Sequence, residues 1–150
     1  MNGLKGRCYF AYGSNMDVEQ MRVRCPGSQI LGTARLDGYR FRINRRGVAT
    51  VVAEEGAVAW GVVWDLTRED ERTLDGYEGA PSGLYSKEEV RIDAQGCRGV
   101  ADGSRALTYI AADPRPGVAR AGYLERIIEA ALHHGLPQEY AEELCRWTGE

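Results

Sequence analysis

The sequence predicts an α+β fold, built on a small, mixed and curved β-sheet or barrel with helices at the C-terminal end. Short apolar segments separated by glycines fill the interior of the chain, as expected of strands joined by turns. The two longest amphipathic helical patterns follow them, close to the C-terminus. This segregation of strands and helices is typical of α+β proteins rather than of repeated βαβ units.

The first half of the chain is predicted to form a strand, a short helix and a run of further strands. A buried strand over Tyr9–Tyr12 precedes a helix over Asp17–Arg24, which ends at the Cys25-Pro26-Gly27 turn. Glycines at positions 38 and 56 suggest turns between the later strands. Those strands are predicted over residues 29–36, 39–43, 49–53 and 58–64.

The second half is predicted to contain three helices and two strands. Thr67 caps a helix with an acidic first turn, and this helix ends near Asp75-Gly76. A loop rich in glycine and proline follows it. The remaining predicted elements are strands over 85–93 and 105–112, a long helix over 118–133 stopped by Gly135, and a last helix opening at Pro137 that contains Tyr140, Leu144 and Trp147.

Length and composition favour one soluble domain over residues 1–150. A chain of 150 residues can bury a single core, and it shows no repeat, low-complexity segment or dividing linker. A net charge of −3 at pH 7 gives no electrostatic argument for a nucleic-acid partner. The basic pairs Arg22/Arg24 and Arg45/Arg46 are therefore interpreted as solvated surface.

Apolar segments and cysteines predict a cytoplasmic protein without a membrane partner or a metal. No apolar run reaches membrane-spanning length, and no hydrophobic signal segment precedes the first strand. The cysteines form no CxxC pair and the two histidines are adjacent, at His133 and His134, which disfavours zinc. The cysteines are expected to be reduced packing residues. A catalytic Cys25 is the alternative, but no separate histidine is placed as its base.

The stretch Tyr9-Phe10-Ala11-Tyr12-Gly13-Ser14-Asn15 is the most informative in the chain. Gly13 ends the strand and permits a tight turn with a close backbone approach to a ligand. Ser14 or Asn15 can cap the following helix, which leaves backbone N–H groups free to bind a small anion such as a carboxylate. A capped turn without a ligand is the alternative, because such junctions are common.

Glu78 is the second informative residue, because it follows the end of a predicted helix. The partial negative charge of a helix C-terminus disfavours another anion, and a half-dry pocket does the same. Both effects would raise the pKa of Glu78 and suit it to proton exchange near neutral pH. The alternative is a solvent-exposed loop glutamate.

These features together resemble the γ-glutamylcyclotransferase family over nearly the whole chain. The Tyr-Gly-Ser-Asn motif of this chain resembles that of the classical enzymes more than the Tyr-Gly-Thr-Leu motif of the relatives that act on γ-glutamylamines. The segments that carry the resemblance are Tyr9–Asn15, Trp60-Gly61-Val62-Val63-Trp64, Leu74-Asp75 with Glu78-Gly79, Ser82-Gly83-Leu84-Tyr85, and Gly135-Leu136-Pro137 with Tyr140.

The resemblance implies a barrel-like mixed fold that converts a γ-glutamyl amino acid, without a cofactor, to 5-oxoproline and a free amino acid. It implies that Tyr9–Asn15 bind the substrate and that Glu78 is the catalytic glutamate. Tyr85 matches a tyrosine beside that glutamate, and Tyr123 matches another substrate-contacting tyrosine. Tyr109 matches a strand tyrosine whose role is not defined. From the residues alone, such tyrosines can equally pack with buried hydroxyls.

Several alternatives stay open on sequence alone. The N–H groups around Gly13 could bind the substrate α-carboxylate or a developing oxyanion. The chain could remove a γ-glutamyl cap from another amine in a biosynthetic pathway, or bind γ-glutamyl compounds without turnover. The Arg45–Gly47 loop is shorter than in the family. If this loop shapes the part of the site that holds the leaving group, the sequence does not define which leaving group is preferred. A homodimer is possible, with Trp147 either at an interface or buried.

Overall fold

A computed structural model of the chain describes residues 6–79, 83–101 and 103–147. Within these ranges the chain forms one mixed sheet with helices packed around it. The strands are β1 (Arg7–Ala11), β2 (Gln29–Ile43), β3 (Ala49–Leu66), β4 (Tyr85–Arg91), β5 (Asp93–Cys97) and β6 (Arg105–Ala111). The helices are α1 (Val18–Arg24), α2 (Arg68–Tyr77), α3 (Tyr123–His133) and α4 (Gln138–Cys145), and a 3-10 turn spans Ser14–Met16.

The sheet is open, and its strands lie in the order β4-β6-β1-β3-β2-β5. All neighbouring pairs are antiparallel except β1 and β6, which are parallel at Tyr9 and Leu107. The predicted α+β class with a mixed sheet is therefore confirmed. None of the helices in the described ranges is long and apolar enough to cross a bilayer.

The long strands β2 and β3 replace the four shorter strands that the sequence predicts between residues 29 and 64. The predicted turns at Gly38 and Gly56 are wrong, since both glycines lie inside strands with φ of +84°. Pairing passes from Asp37 and Val58 directly to Tyr39 and Ala53. Residues 54–57 therefore bulge opposite Gly38, and the glycines supply the left-handed backbone that this bulge requires.

Three other predictions of local structure are corrected. Asp17, rather than Ser14 or Asn15, caps α1, because its Oδ1 accepts from two N–H groups of the first turn. Strand β5 was not predicted, since the sequence suggested a single strand over 85–93 in its region. Helix α3 begins at Tyr123 rather than at residue 118, because the preceding Gly122 has a left-handed φ of +81°.

Strand β1 lies in the middle of the sheet, and Cys8–Ala11 are buried along its length. Phe10 is fully buried and packs in the same core as Phe41 and Leu124. Trp147, which was predicted within the last helix, follows the end of α4 and is partly buried against this core. The 3-10 turn that follows β1 therefore begins next to the core, and its residues Asn15 and Met16 are buried.

Asn44 fastens the β2–β3 turn to the connector that precedes α3. Its side chain is fully buried. Its Nδ2 donates to the carbonyl of Asp113 at 3.0 Å, and its Oδ1 accepts from the N–H groups of Arg46 (3.0 Å) and Val48 (3.3 Å). The N–H of Gly117 also donates to the end of β2 at 2.8 Å. The turn and the connector are therefore held together as one unit.

Replacing Asn44 by alanine is expected to lower the free energy of unfolding by about 2–4 kcal/mol, because several buried polar groups would lose their partner at about 1–3 kcal/mol each. Urea unfolding monitored by tryptophan fluorescence measures the change. Arg45→Ala, at the exposed neighbouring position, is the control and should stay within about 0.5 kcal/mol of the wild type. Equal stability of both variants would contradict the structural role of Asn44.

Candidate active site

A cavity of about 310 Å³ opens at the C-terminal end of β1, a volume at the small end of the range for ligand pockets. It lies between the 3-10 turn, the end of α2, the β2–β3 turn and the start of α3. Among the described lining residues, Glu78 is the carboxylate, and it is surrounded by hydroxyls and cations. The tyrosines of the lining are Tyr9, Tyr12, Tyr77, Tyr85, Tyr109 and Tyr123, and its arginines are Arg24, Arg46 and Arg120.

Most of the sequence-predicted binding loop lines this cavity. Tyr9 and Tyr12–Asn15 are lining residues, whereas Phe10 and Ala11 are not. Phe10 projects to the opposite face of β1 from Tyr9, as alternation along a strand requires, and is buried in the core. Ala11 is also a buried core residue. Neither of these two residues therefore lines the cavity.

Gly13 has an ordinary backbone conformation, with a φ of −118°, but little space for a side chain. A Cβ atom at this position would lie 3.3 Å from the Ala49 Cβ and 4.0 Å from the Tyr123 hydroxyl. The N–H groups of Gly13, Ser14 and Asn15 have no acceptor among the described residues. The binding of an anionic ligand by these N–H groups stays a prediction.

Asn15 organises the loop through every polar part of its side chain. Its Nδ2 donates to the Tyr9 hydroxyl at 3.0 Å, and its Oδ1 accepts from Gln20 (2.9 Å) and Arg24 (3.0 Å). Its backbone carbonyl accepts from the indole N–H of Trp64 at 3.0 Å. Asn15 therefore joins β1, α1 and β3, and acts as a positioning residue for the cavity wall.

Glu78 directly follows α2, and its N–H donates to the carbonyl of Leu74 at 2.8 Å. The residue is half-buried. Burial raises the pKa of Glu78 to about 7, and the positive charge of Arg24 opposes this rise. No donor among the described residues hydrogen-bonds its carboxylate. The carboxylate can therefore hold or release a proton near neutral pH, as the sequence predicts.

Tyr85 and Tyr123 hold the backbone of β3 at Ala49 through two successive peptide groups. The Tyr85 hydroxyl donates to the Ala49 carbonyl at 2.8 Å, and the Tyr123 hydroxyl accepts from the Ala49 N–H at 3.0 Å. Burial first, with the charge of Glu78 among the further causes, raises the pKa of both tyrosines. Because Tyr123 only accepts in this contact, its own O–H proton remains available to a substrate.

Tyr109 has a structural connection that the sequence does not define. Its hydroxyl donates to Asp75 at 2.7 Å, which ties β6 to α2 just before Glu78. Its ring meets the ring of Tyr9 edge-on at 5.8 Å, and its carbonyl accepts from the Tyr12 hydroxyl. Tyr109 therefore fixes the helix end that carries Glu78 against the strand that carries the loop.

Arg24 and Arg46 both line the cavity. The interpretation as solvated surface is wrong for Arg24, which is half-buried, whereas Arg46 is exposed as expected. The guanidinium of Arg24 donates to Asn15 and lies 4.4 Å from the centre of the Tyr77 ring. One local signal points to Arg24, because Gln20 and Arg24 are four residues apart and so share a face of α1. Arg46 and Arg120 lie on a turn and a connector, where no periodicity marks them.

Comparisons with known proteins agree with this geometry. A family model described as the AIG2-like family matches residues 58–144. Gamma-glutamylcyclotransferases of Homo sapiens and Mus musculus are each 33% identical over 147 residues, covering 91% of this chain and 76% of theirs. A solved structure named gamma-glutamyl cyclotransferase has a TM-score of 0.82 and 29% identity, covering 93% of this chain and 86% of its own.

A crystal structure of a human protein, refined as an ensemble, has a TM-score of 0.83 and 30% identity, covering 94% of this chain and 87% of its own. Fold and cavity thus define an enzyme of the AIG2-like class. Within that class, the chain belongs to the γ-glutamylcyclotransferase family, which confirms the resemblance found in the sequence.

The raised pKa of Glu78 predicts a pH-dependent stability difference between the wild type and Glu78→Gln. The folded protein binds the proton more tightly than the unfolded chain, so wild-type stability falls as pH rises from about 4.5 to about 7. The glutamine variant lacks this loss. We expect equal stabilities at pH 4 and an advantage of about 1–3 kcal/mol for the variant at pH 8, after allowance for solvent screening.

Urea unfolding at pH 4, 6 and 8 measures this difference. Glu55→Gln, at an exposed position on the β3 bulge, is the matched control and should show no pH-dependent advantage. A constant difference between Glu78→Gln and the wild type at all three values would contradict the burial of an ionisable Glu78.

Proposed function

We propose that the chain is a γ-glutamylcyclotransferase, which releases 5-oxoproline and a free amino acid or amine from a γ-glutamyl compound. Membership of the family supports this reaction class. The observation that carries the proposal is Glu78, a half-buried carboxylate with a pKa of about 7 in a tyrosine-lined cavity. Such a group exchanges protons efficiently at neutral pH.

The proposed reaction is an intramolecular aminolysis. The α-amine of the glutamyl group attacks its own γ-carbonyl, a new C–N bond closes a five-membered ring, and the original amide C–N bond breaks. Holding the glutamyl chain in the folded-back conformer supplies part of the rate enhancement. A small cavity with fixed walls, braced by Asn15 and Tyr109, is suited to this task.

Glu78 is proposed to move the protons. A free α-ammonium has a pKa of about 8 and must lose a proton before it can attack. Glu78 accepts that proton and later delivers one to the leaving nitrogen. The attacking nitrogen loses two protons overall and the leaving nitrogen gains two, so the reaction needs no net proton and no cofactor. A carboxylate with a pKa of about 7 can serve in both directions.

The free N–H groups of Gly13–Asn15 are proposed to bind the substrate α-carboxylate rather than the oxyanion. The Arg24 guanidinium lies 3.0 Å from the Asn15 side chain, so positive charge stands beside these N–H groups. A permanent anion gains more from this environment than a transient one does. Tyr123, which retains a free O–H proton, is proposed to contact the glutamyl group as well.

Removal of a γ-glutamyl cap from a polyamine is disfavoured by the cavity charge. Three arginines line the cavity, whereas Glu78 is its carboxylate among the described residues. A cationic leaving group would be repelled by these guanidinium groups. A γ-glutamyl-binding protein without turnover shares the geometry, and kinetics distinguish the two.

Replacing Glu78 by glutamine is expected to lower 5-oxoproline release by roughly 10²–10⁴-fold, because the amide cannot accept the ammonium proton. Affinity for the substrate should change much less, since the loop and the tyrosines remain. Initial rates of 5-oxoproline formation and calorimetric titration test both statements. Glu55→Gln is again the control and should retain the wild-type rate. Near-wild-type turnover of Glu78→Gln would refute the assignment.

Arg24→Met is expected to move the acid limb of the kcat/KM profile to higher pH. The base must be ionised to act, so the wild-type limb should lie near pH 7. Removing the guanidinium removes the charge that opposes the burial-driven rise in the pKa of Glu78. Arg22→Met, on the exposed side of α1, is the control and should leave the limb in place. A limb that stays or moves to lower pH in Arg24→Met would contradict the electrostatic link.

A further inference from the structure

The cavity carries positive charge that the described protein does not neutralise. Arg24, Arg46 and Arg120 line it, and within the described ranges none of them has a carboxylate within 4.0 Å. Elsewhere in these ranges, arginines such as Arg40 and Arg115 do form ion pairs. The whole chain has a net charge of −3, so this positive cluster is a local feature of the site.

Backbone packing places Arg46 and Arg120 beside each other at the open side of the cavity. The intervening Gly47 lies against the connector, since a Cβ on it would be 3.1 Å from the Val118 carbonyl and 3.4 Å from Arg120 Cγ. Both arginines are exposed, whereas Arg24 is half-buried. Arg24 therefore lies at the inner end of the cavity, and Arg46 and Arg120 lie at its solvent-facing end.

The two outer guanidinium groups act on the cavity wall from this position. Burial raises the pKa of Tyr85, and the charge of Arg46 opposes that rise. Burial likewise raises the pKa of Tyr123, and Arg120 is among the charges that oppose it. Each outer arginine thus lies near one of the two tyrosines that hold the backbone N–H and C=O of Ala49.

We propose that Arg46 and Arg120 form a subsite for the departing half of the substrate, and that this subsite selects leaving amino acids with a second carboxylate, such as glutamate or aspartate. This inference rests on the proposed function. The glutamyl carboxylate is matched by the inner N–H groups and Arg24. The two carboxylates of an acidic leaving residue then match the two outer guanidinium groups.

The test compares three γ-glutamyl substrates that differ in the charge of the leaving half: an isosteric pair and a smaller, uncharged reference. γ-Glutamyl-glutamate carries two carboxylates there, γ-glutamyl-glutamine carries one, and γ-glutamylpropylamine carries none. Values of kcat/KM for 5-oxoproline release are measured for the wild type, for the double variant Arg46→Gln/Arg120→Gln, and for Arg45→Gln. Arg45 is the matched control because it is exposed in the same turn but does not line the cavity.

We expect the wild type to prefer γ-glutamyl-glutamate over γ-glutamyl-glutamine by about two- to fivefold at low salt, the size expected of solvent-exposed ion pairs. The preference should shrink at high ionic strength. Arg45→Gln should retain it and the double variant should lose it. A wild-type ratio near one, or a preference that survives in the double variant, would overturn the subsite while leaving the cyclotransferase function intact.

Absence of 5-oxoproline from every substrate would instead overturn the proposed function. Calorimetric affinities for the same peptides then still decide the charge preference, because binding does not require turnover. Tighter binding of γ-glutamyl-glutamate that disappears in the double variant would support the subsite, and equal affinities would overturn it. A melting curve of the double variant checks that its fold is retained.

Discussion

The site depends on keeping one carboxylate half-buried and unpaired at the end of a helix. Burial disfavours the charged form of Glu78, and a direct ion pair would reverse that effect. Within the described residues no donor hydrogen-bonds the carboxylate, and the nearby charge of Arg24 opposes the effect of burial without reversing it. The helix end is held instead through Asp75, which accepts from Tyr109 at 2.7 Å and from Lys87 at 3.0 Å. Rigidity is therefore supplied by residues next to Glu78 rather than by contacts to its carboxylate.

On the opposite wall of the cavity, too, the contacts that fix the backbone are made by residues around the ligand space. Ala49 begins β3 directly after the turn that Asn44 anchors. Its C=O accepts from Tyr85 of β4, and its N–H donates to Tyr123 of α3. Since Gly13 lies against the Ala49 methyl group, the loop after β1 and the start of β3 approach as closely as their side chains allow. Three distant parts of the chain thus meet at one small alanine, which leaves room for a ligand where a larger side chain would fill the cavity.

The sequence predicts the parts of this arrangement that depend on local chemistry. A glycine after a buried strand, a carboxylate after a helix and a capping threonine at position 67 are visible as short patterns, and the structure places each as a local element. What depends on pairing between distant strands is not visible. Gly38 and Gly56 each suggest a separate turn in the sequence. They belong to one bulge because the pairing of β2 with β3 places them opposite each other. Arg46 and Arg120 likewise become neighbours through the Asn44 anchor and not through any spacing along the chain.

The position of Arg24 explains how a cation can line the cavity while the pKa of Glu78 stays raised. An arginine paired directly with Glu78 would hold the pKa of that carboxyl well below neutrality, and the protonated form that the proposed reaction requires would then be scarce. Arg24 is instead bound to the Asn15 side chain and stacked on the Tyr77 ring, and it lies more than 4.0 Å from the Glu78 carboxylate. At that separation its charge moderates the effect of burial without cancelling it. The network around Asn15 therefore sets the distance between the two charges, and this distance keeps both protonation states of Glu78 accessible near pH 7.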